Sequence, residues 1–400
     1  MNSKGQKTFR LPELRLPGDL DKESYVEALY RTILLRDPDP HATRFMTRND
    51  TENFFLEFLS SAEFRKLAWS PAYPAARFLA TPSRSRILLF GAYGNGNLGD
   101  AIQASSLARA IGTIRPDIEV WACSALPAPY PFAHERTLPA EAIINSAIVN
   151  SFDLLIIGGG GLLAHPHDPL RNPEWQAMLE LPLAIVGVGA AEPVASGHEN
   201  LIRKAVYLSG RDSPSIISLS KYGKDALMLP DPVLCDQTYF SQLKKDSIAL
   251  PAVAKRKLWI LKYLNTDDFR NLCHQIVEAG DTVCFLEPRL DFPILQYVPN
   301  AIPIYFVDDL ISIIDQADIV LSMRYHGCIL AMLRQKTVFG LREQKIFDLL
   351  FRYENSQAFS TTLDYSVSDQ IRYAQVDSRI LQDQANFLEG LSAALSFVIS

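Results

Sequence analysis

Arg324 and His326 are the side chains of this chain whose types and spacing are best suited to chemistry. They lie between a short apolar run, Ala317–Leu321, and the segment Cys328–Arg334. The first segment has the pattern of a buried parallel strand, and the second has that of a helix. Open α/β sheets bind ligands where strands end, and a helix N-terminus at that point attracts anions. The pattern indicates either a site for an anionic substrate with a proton transfer, or a solvated arginine beside a helix-capping histidine.

A glycine-rich segment, Gly91–Asp100, is the second candidate for a ligand-binding turn. It follows the strand-like run Arg86–Phe90, and Gly94, Gly96 and Gly99 have the spacing of the dinucleotide-binding fingerprint. Glycines at these positions would let the backbone approach a ligand closely.

Two features of the flanking sequence argue against a dinucleotide. The next predicted strand, Ile118–Ser124, ends without the acidic residue that would hold a ribose. Asp100 also places a negative charge where a pyrophosphate would lie, at the start of a helix predicted from Ala101 to about Ile111. Asp100 is then either a catalytic carboxylate or, paired with Gln103, a cap of that helix.

Two further strand ends carry candidate residues. The run Phe152–Ile157 leads into Gly158–Gly161, a flexible turn that either cradles an anion or lets a helix pack closely on the sheet. Arg211 follows another predicted strand, just as Arg324 follows the run Ala317–Leu321. The alternative role for Arg211 is a salt bridge to Asp212 or Asp231.

The composition limits the class of protein. The chain has 400 residues, 48% of them hydrophobic and 21% charged, which is ordinary for a globular protein of two or three domains. A net charge of −6 provides no basic surface for nucleic acid, and no apolar run approaches the roughly 20 residues of a membrane-spanning helix. The five cysteines lack metal-type spacing, which favours reduced thiols and a cytoplasmic protein. We interpret His165 and His167 as loop residues and expect no metal site.

The order of apolar runs predicts an α/β protein with two Rossmann-like lobes facing a cleft, preceded by a small all-helical domain. The predicted segments are a flexible arm (1–20), a helical module (21–70), a linker (71–83), an N-terminal lobe (84–245), a hinge (246–257), a C-terminal lobe (258–345) and C-terminal helices (346–400). The linker is assigned from its prolines and the hinge from its charged, loose composition.

The helical module resembles a small domain that is appended to bacterial surface and glycan-synthesis proteins. The resemblance rests on four short motifs, Tyr25-Val26, Leu29-Tyr30, Leu34–Asp39 and Ser61–Phe64. We expect a docking module for other glycan-synthesis proteins, and the alternative is a helical cap that only stabilises the rest of the chain.

Residues 84–352 resemble the polysaccharide pyruvyl transferase family. The resemblance rests on a set of motifs in order, namely Gly91–Gly94, Asn97–Asp100, Asp153 with Ile157–Gly160, Gly187–Gly189, Arg211-Asp212 with Ser215, Asp231-Pro232, Ser322–Gly327 with Leu330-Ala331, and Lys345-Ile346. Each motif is weak by itself, whereas the ordered set is specific.

This resemblance implies a two-lobed enzyme of the glycosyltransferase-B kind. Members of the family transfer the enolpyruvyl group of phosphoenolpyruvate onto two hydroxyls of a sugar, which leaves a cyclic ketal and phosphate. The arginine and histidine of their Arg-x-His-Gly motif line the phosphoenolpyruvate site, which implies that role for Arg324 and His326, and Arg211 matches a further arginine. The acceptor would be a sugar of a bacterial exopolysaccharide or cell-surface glycan, and a lipid-linked acceptor would bring the protein to the inner face of the membrane.

On this basis His326 and Asp100 are the expected catalytic residues. Bidentate arginine contacts suit the carboxylate and phosphate of the donor, and a histidine suits protonation of its C3 carbon. No redox cofactor or obligatory metal is needed. The expected substrate-binding residues are Arg324, Arg211, Tyr325, Asn97, Gly94, Gly96, Gly159, Gly160 and Lys345.

The chain departs from the family pattern at two places. Ala101 stands where an acidic residue often follows Gly-Asp, and Arg334–Thr337 replaces the usual Gly-x-Pro turn. Two other functions therefore stay open. One is a nucleotide-sugar-dependent glycosyltransferase of the same two-lobed fold, and the other is a catalytically silent glycan-assembly protein recruited through residues 21–70.

Overall fold

The computed structural model describes residues 85–124, 136–164, 168–192, 195–222, 224–243, 256–354, 357–369 and 379–398. The predicted arm, helical module and linker lie outside the described residues, as do His165, His167 and nearly all of the predicted hinge. The described residues form two parallel β-sheets whose strands alternate with helices, so the predicted two-lobed α/β fold is confirmed.

The first sheet has seven strands, in chain order β1 (Arg86–Phe90), β2 (Glu119–Ser124), β3 (Arg136–Pro139), β4 (Leu154–Gly158), β5 (Leu183–Val188), β6 (Tyr207–Gly210) and β7 (Leu227–Met228). Their spatial order is β3-β2-β1-β4-β5-β6-β7, and all neighbours are parallel. The strand order reverses between β1 and β4, so this sheet has its topological switch point at their carboxyl ends.

The second sheet repeats this arrangement with six strands. They are β8 (Lys257–Leu261), β9 (Thr282–Phe285), β10 (Ile302–Pro303), β11 (Ile319–Ser322), β12 (Thr337–Leu341) and β13 (Phe359–Ser360). Their spatial order is β10-β9-β8-β11-β12-β13, again all parallel, so the switch point lies between β8 and β11.

The helices of the first lobe are α1 (Leu98–Ile114), α2 (Ser146–Val149), α3 (Asp168–Arg171), α4 (Pro173–Met178), α5 (Glu199–Lys204), α6 (Ser213–Ser220) and α7 (Gln237–Gln242). Those that follow are α8 (Asp267–Ala279), α9 (Pro288–Asp291), α10 (Val307–Gln316), α11 (Tyr325–Leu333), α12 (Gln344–Arg352) and α13 (Arg379–Leu395). Short 3₁₀ turns occur at Ala140–Ile144, Ala195–His198, Leu234–Asp236, Phe292–Gln296 and Tyr365–Asp369.

The core of the first lobe lies on both faces of its sheet. Strand residues alternate between the faces, so Leu88 and Phe90 of β1 enter one apolar cluster, while Ile87 and Leu89 enter another. All five residues of β1 are buried, which is typical of a parallel strand covered by helices on both sides.

The last helix, α13, crosses back to the first lobe. Phe387, Leu391 and Leu395 lie in the same buried cluster as Ile87 of β1. The two lobes are therefore joined by apolar packing of the chain's last described helix as well as by the segment between β7 and β8.

Two predicted element boundaries are wrong. The helix after the glycine turn begins at Leu98 and not at Ala101, and α11 begins at Tyr325 and not at Cys328. The apolar run Pro303–Val307 forms a strand only at Ile302–Pro303, because Val307 opens α10. Acidic residues in the first turn of α10 favour a helix N-terminus there.

Candidate active site

The two switch points face one another across the molecule. The glycine-rich turn after β1 meets the segment after β9, where the backbone N–H of Leu98 donates to the carbonyl of Leu286 at 2.9 Å. The segment after β11 also reaches the first lobe, because Tyr325 and His326 contact Arg211 and Gly99. The candidate residues that the sequence places at separate strand ends are therefore brought into one cleft.

His326 packs directly on the first turn of α1. A Cβ atom on Gly99 would lie 2.7 Å from Cγ of His326, closer than any real contact, so the imidazole occupies the space of a missing side chain. His326 is buried, and it lies inside α11, whose N-cap is Arg324. The alternative interpretation of His326 as a helix cap is therefore wrong.

Asp231 is the carboxylate that faces His326. It is fully buried, and its Oδ2 lies 3.4 Å from Nε2 of His326, an ion-pair distance that is longer than an ordinary hydrogen bond. Oδ2 also accepts from Nε2 of Gln103, and Oδ1 accepts from the backbone N–H of Val233 at 3.0 Å. Burial opposes the charged carboxylate, yet the pKa of Asp231 is lowered because His326, Val233 and Arg211 stabilise the negative charge.

Asp100 lies in the first turn of α1, but it does not cap that helix. The N-cap is Asn97, whose side-chain oxygen accepts from the backbone N–H of Gly99 at 2.9 Å. Asp100 instead accepts from Nδ2 of Asn95 at 3.2 Å, and Gln103 bonds to Asp231, so the predicted Asp100–Gln103 cap is wrong. Burial raises the pKa of Asp100, against the lowering effects of four nearby groups, His326, Asn95, Lys345 and Arg211.

Arg211 directly follows β6, and its side chain is 9% exposed. Its guanidinium lies 5.0 Å from the ring centroid of Tyr325, and its Nε donates to Oδ2 of Asp212 at 3.3 Å. This ion pair was the alternative role expected for Arg211, and NH2 of the same guanidinium packs beside Gly189. The predicted contacts of Arg211 and Tyr325 with substrate stay predictions.

Arg324 already has two acidic partners. Its NH1 donates to Oε2 of Glu287 at 2.7 Å and its NH2 donates to Oδ2 of Asp291. Asp291 is buried and also accepts from the backbone N–H of Tyr263 at 2.9 Å. The guanidinium thus fixes α9 against the second switch point, and anion binding by Arg324 stays a prediction.

The predicted glycines form turns that other residues rarely adopt. Gly94 and Gly96 have φ angles of 69° and 99°, and Gly159 and Gly160 have φ angles of 74° and 65°. These left-handed conformations explain the residue type at four of the predicted substrate-binding positions.

Lys345 lies at the start of α12. Its Nζ is 2.8 Å from Oε2 of Glu343, which also pairs with Lys262 at 2.5 Å. Lys345 lowers the pKa of Asp100, so the positive charge of Lys345 acts on the cleft.

Asp231 and Gln103 are the residues that sequence reasoning missed. The Asp231-Pro232 motif was noticeable in the sequence, but nothing there indicated that its carboxylate would face a histidine of the other lobe.

The described residues contain no group of three or more His, Cys, Asp or Glu side chains arranged to hold a metal ion. None of the described helices is long and apolar enough to cross a bilayer.

Solved structures identify the class of fold. The chain is similar to the UDP-GlcNAc 2-epimerase from Neisseria meningitidis, with 12% identity, a TM-score of 0.53, and coverage of 77% of this chain and 99% of that chain. It is similar to S. aureus MnaA, with 11% identity, a TM-score of 0.50, and coverage of 79% and 98%. At this identity the likeness shows the fold alone, a two-lobed α/β fold of the glycosyltransferase-B kind.

The family is shown by sequence. The model of the polysaccharide pyruvyl transferase family matches residues 97–344, more than half of the chain, and this chain belongs to that family. The match covers the second switch point and the part of the first that follows Gly96, and it ends at Gln344, the first residue of α12. No curated protein matches the chain.

Proposed function

We propose that the protein transfers the enolpyruvyl group of phosphoenolpyruvate onto two hydroxyls of one sugar residue and releases inorganic phosphate. The observation that carries this proposal is the position of His326, a proton-transfer residue of the second lobe that lies against Gly99 and Asp231 of the first. Membership of the family supports the class of reaction. A histidine with arginine and lysine nearby fits an anionic donor that must be protonated on carbon.

The proposed donor site uses the cations around Asp100. Arg211 and Lys345 both lower the pKa of Asp100, as His326 does, so their positive charges act at the proposed site. They provide positive charge for the carboxylate and phosphate of the donor. In this proposal Arg324 completes the set by exchanging one of its carboxylate partners for the donor.

The proposed reaction balances with one acid and one base. His326 gives a proton to C3 of the donor, the first sugar oxygen bonds to C2, and its hydroxyl proton passes to Asp100. The raised pKa of Asp100 suits a base that must hold a proton. The bond from C2 to the phosphate oxygen then breaks, and phosphate leaves with the electron pair and takes up the proton held by Asp100, which restores that base. The second hydroxyl adds to C2 and closes the ketal, and its proton returns to the deprotonated His326.

A nucleotide-sugar-dependent glycosyltransferase is the second candidate, because a solved structure of the same fold, the N. meningitidis epimerase, holds UDP-GlcNAc. The two functions differ in their products. Release of inorganic phosphate from phosphoenolpyruvate supports the pyruvyl transferase, and release of a nucleoside diphosphate from a nucleotide sugar supports the glycosyltransferase. A catalytically silent assembly protein would release neither.

The test of this proposal is the turnover of His326→Asn on phosphoenolpyruvate and a panel of nucleotide- and lipid-linked sugars. If His326 is the acid, turnover should fall about 100-fold or more, with little change in the KM for phosphoenolpyruvate. Phosphate release and the mass gain of the sugar measure turnover, and deuterium in the pyruvyl methyl group reports the proton transfer in D₂O. The control is His274→Asn, at an exposed histidine of α8. Near-native turnover of His326→Asn would end the proposed mechanism.

A further inference from the structure

Gln103 of α1 carries a buried hydrogen-bond acceptor that has no partner among the described residues. The side chain is 1% exposed, and its Oε1 is closed off from solvent without a hydrogen bond. Most buried polar atoms in proteins have a partner, and a buried acceptor without a donor is unfavourable. Oε1 of Gln103 is therefore an acceptor that a donor from a bound ligand or from a buried water molecule would satisfy.

The orientation of the Gln103 amide follows from its other contact. The amide approaches Oδ2 of Asp231, and the lowered pKa of Asp231 keeps that carboxyl ionised, so it can only accept. The NH₂ group must then face Asp231, and the oxygen must face away from it. Swapping the two amide atoms would place two acceptors against each other.

Oε1 of Gln103 points at the glycine turn after β4, where Asp100 also points. A Cβ atom on Gly160 would lie 3.7 Å from Oε1 of Gln103 and 3.4 Å from Oδ1 of Asp100. Two acceptor oxygens therefore converge on the space that the missing side chain of Gly160 leaves open. Asp100 is partly exposed, so this space borders the cleft.

The chemical character of this space differs from that of the rest of the cleft. Arg211, Lys345 and His326 donate hydrogen bonds and suit an anion, whereas Gln103 Oε1 and Asp100 Oδ1 accept and repel one. A ligand in front of Gly160 must donate two hydrogen bonds, one to each of these acceptor oxygens. A pair of hydroxyls on neighbouring sugar carbons has this pattern.

We propose that Gln103 is a ligand of the acceptor sugar, and that the two hydroxyls to be joined by the ketal lie in front of Gly160 between Gln103 and Asp100. This inference rests on the proposed function, because it assumes a sugar diol as the acceptor. Asp100 then receives the proton of one hydroxyl, while Gln103 orients the other. Asp231 links the two halves of the site, since the same carboxylate contacts Gln103 and His326.

Gly160→Ala tests whether this space is used, because its methyl group would stand between the two acceptors and leave the contacts of Asp231 unchanged. The matched control is Gly280→Ala at the end of α8, where φ is 71° and no atom lies within 4 Å of the added Cβ. Both variants carry a similar left-handed strain, since φ of Gly160 is 65°. The KM for the acceptor should rise about tenfold or more in Gly160→Ala and stay unchanged in Gly280→Ala.

Gln103→Met tests the amide of Gln103, because methionine keeps the volume but removes both Oε1 and the Nε2 donor to Asp231. The probes are the methyl glycosides of glucose, galactose and mannose and their monodeoxy analogues, measured by equilibrium binding. Wild-type protein should bind the best diol about tenfold more tightly than its monodeoxy analogues. In Gln103→Met the tighter binding of the diol should disappear relative to one of its monodeoxy analogues. The Kd for phosphoenolpyruvate should stay within about twofold of the wild-type value.

The other possible results of these two tests each overturn either this inference or the proposed function. A rise in the KM for phosphoenolpyruvate in Gly160→Ala, with an unchanged KM for the acceptor, would show that the donor occupies this space and would overturn the inference. A change in unfolding temperature alone in both variants would make Gln103 a structural residue. Absence of phosphate release from wild type with every acceptor would overturn the proposed function itself, and the binding measurements would still report whether sugar diols contact Gln103.

Discussion

At the scale of single residues, the contact between Gly99 and His326 has the most direct consequence for the cleft. The imidazole lies where a side chain on Gly99 would be, so the second lobe can bring His326 against α1 only because residue 99 has no Cβ. The conformation of Gly99 is helical, and close approach is therefore the reason for glycine here.

Gly99→Ala should displace His326 and lower turnover by about tenfold or more, while the overpacking costs about 1–3 kcal/mol of stability. The control on the same helix is Gly112→Ala, whose added Cβ meets no atom within 4 Å. That change should stabilise the protein by up to about 1 kcal/mol and leave turnover unchanged, because alanine favours helix more than glycine does. Phosphate release and urea unfolding measure the two effects, and full activity of Gly99→Ala would contradict the close packing.

At the scale of secondary-structure elements, the start of α12 is fixed by one carboxylate between two lysines. Glu343 is the residue before α12, and it pairs with Lys262, just after β8, and with Lys345, in the first turn of α12. Burial opposes its charge, but Lys345 and Lys262 lower the pKa of Glu343 to about 2.

This pKa predicts how stability depends on pH. A carboxyl whose folded pKa is depressed from 4.5 to about 2 contributes stability that is fully present above pH 4.5. The contribution is lost as the pH falls from 4.5 towards 2, because the unfolded state binds the proton first. Allowing for partly exposed lysines, Glu343→Gln should lower the free energy of unfolding by about 1–2 kcal/mol at pH 7, with a smaller difference at pH 3.

Urea unfolding at pH 7 and pH 3 measures this difference between wild type and Glu343→Gln. Glu354→Gln is the control, since the Glu354 side chain is 66% exposed and pairs with Arg379 at the surface. It should change the free energy of unfolding by less than about 1 kcal/mol at either pH. An equal effect of Glu343→Gln at both pH values would show that its charge does not stabilise the fold.

At the scale of the whole molecule, α13 connects the end of the described chain to the first lobe. Arg352 of α12 pairs with Asp383 of α13 at 2.6 Å, and Nε2 of Gln384 donates to the carbonyl of Leu234 at 2.9 Å. Phe387 lies in the apolar cluster beneath the first sheet. Unfolding of α13 should therefore remove part of the core of the first lobe.

Phe387→Ala should destabilise the protein by about 3–5 kcal/mol, because it leaves a cavity at a residue with no exposed surface. Leu381→Ala on the same helix is the control, since Leu381 is 62% exposed, and should change stability by no more than about 0.5 kcal/mol. Thermal unfolding measures both. Equal midpoints of the two variants would show that α13 does not support the first lobe.

The sequence by itself determined most of the elements and their order, but not the residues at which α1 and α11 begin. Largely apolar runs such as Arg86–Phe90 and Ala317–Leu321 predicted buried parallel strands, and glycines, which have positive φ in the structure, marked the turns after β1 and β4. These features are local, because burial on both faces and left-handed backbone each restrict residue type at a single position. The two-lobed fold and the strand ends that carry His326 and Asp100 follow from them.

Only the tertiary structure decided which side chains meet. The pairing of His326 with Gly99 and Asp231, and of Arg324 with Glu287 and Asp291, joins segments that are far apart in the chain. No local pattern specifies such contacts, because they depend on how β-strand ends from two sheets are placed against each other. The cap of α1 is by contrast a local contact, from the backbone N–H of Gly99 to the side chain of Asn97, and Asp100 and Gln103 face the turn at Gly160.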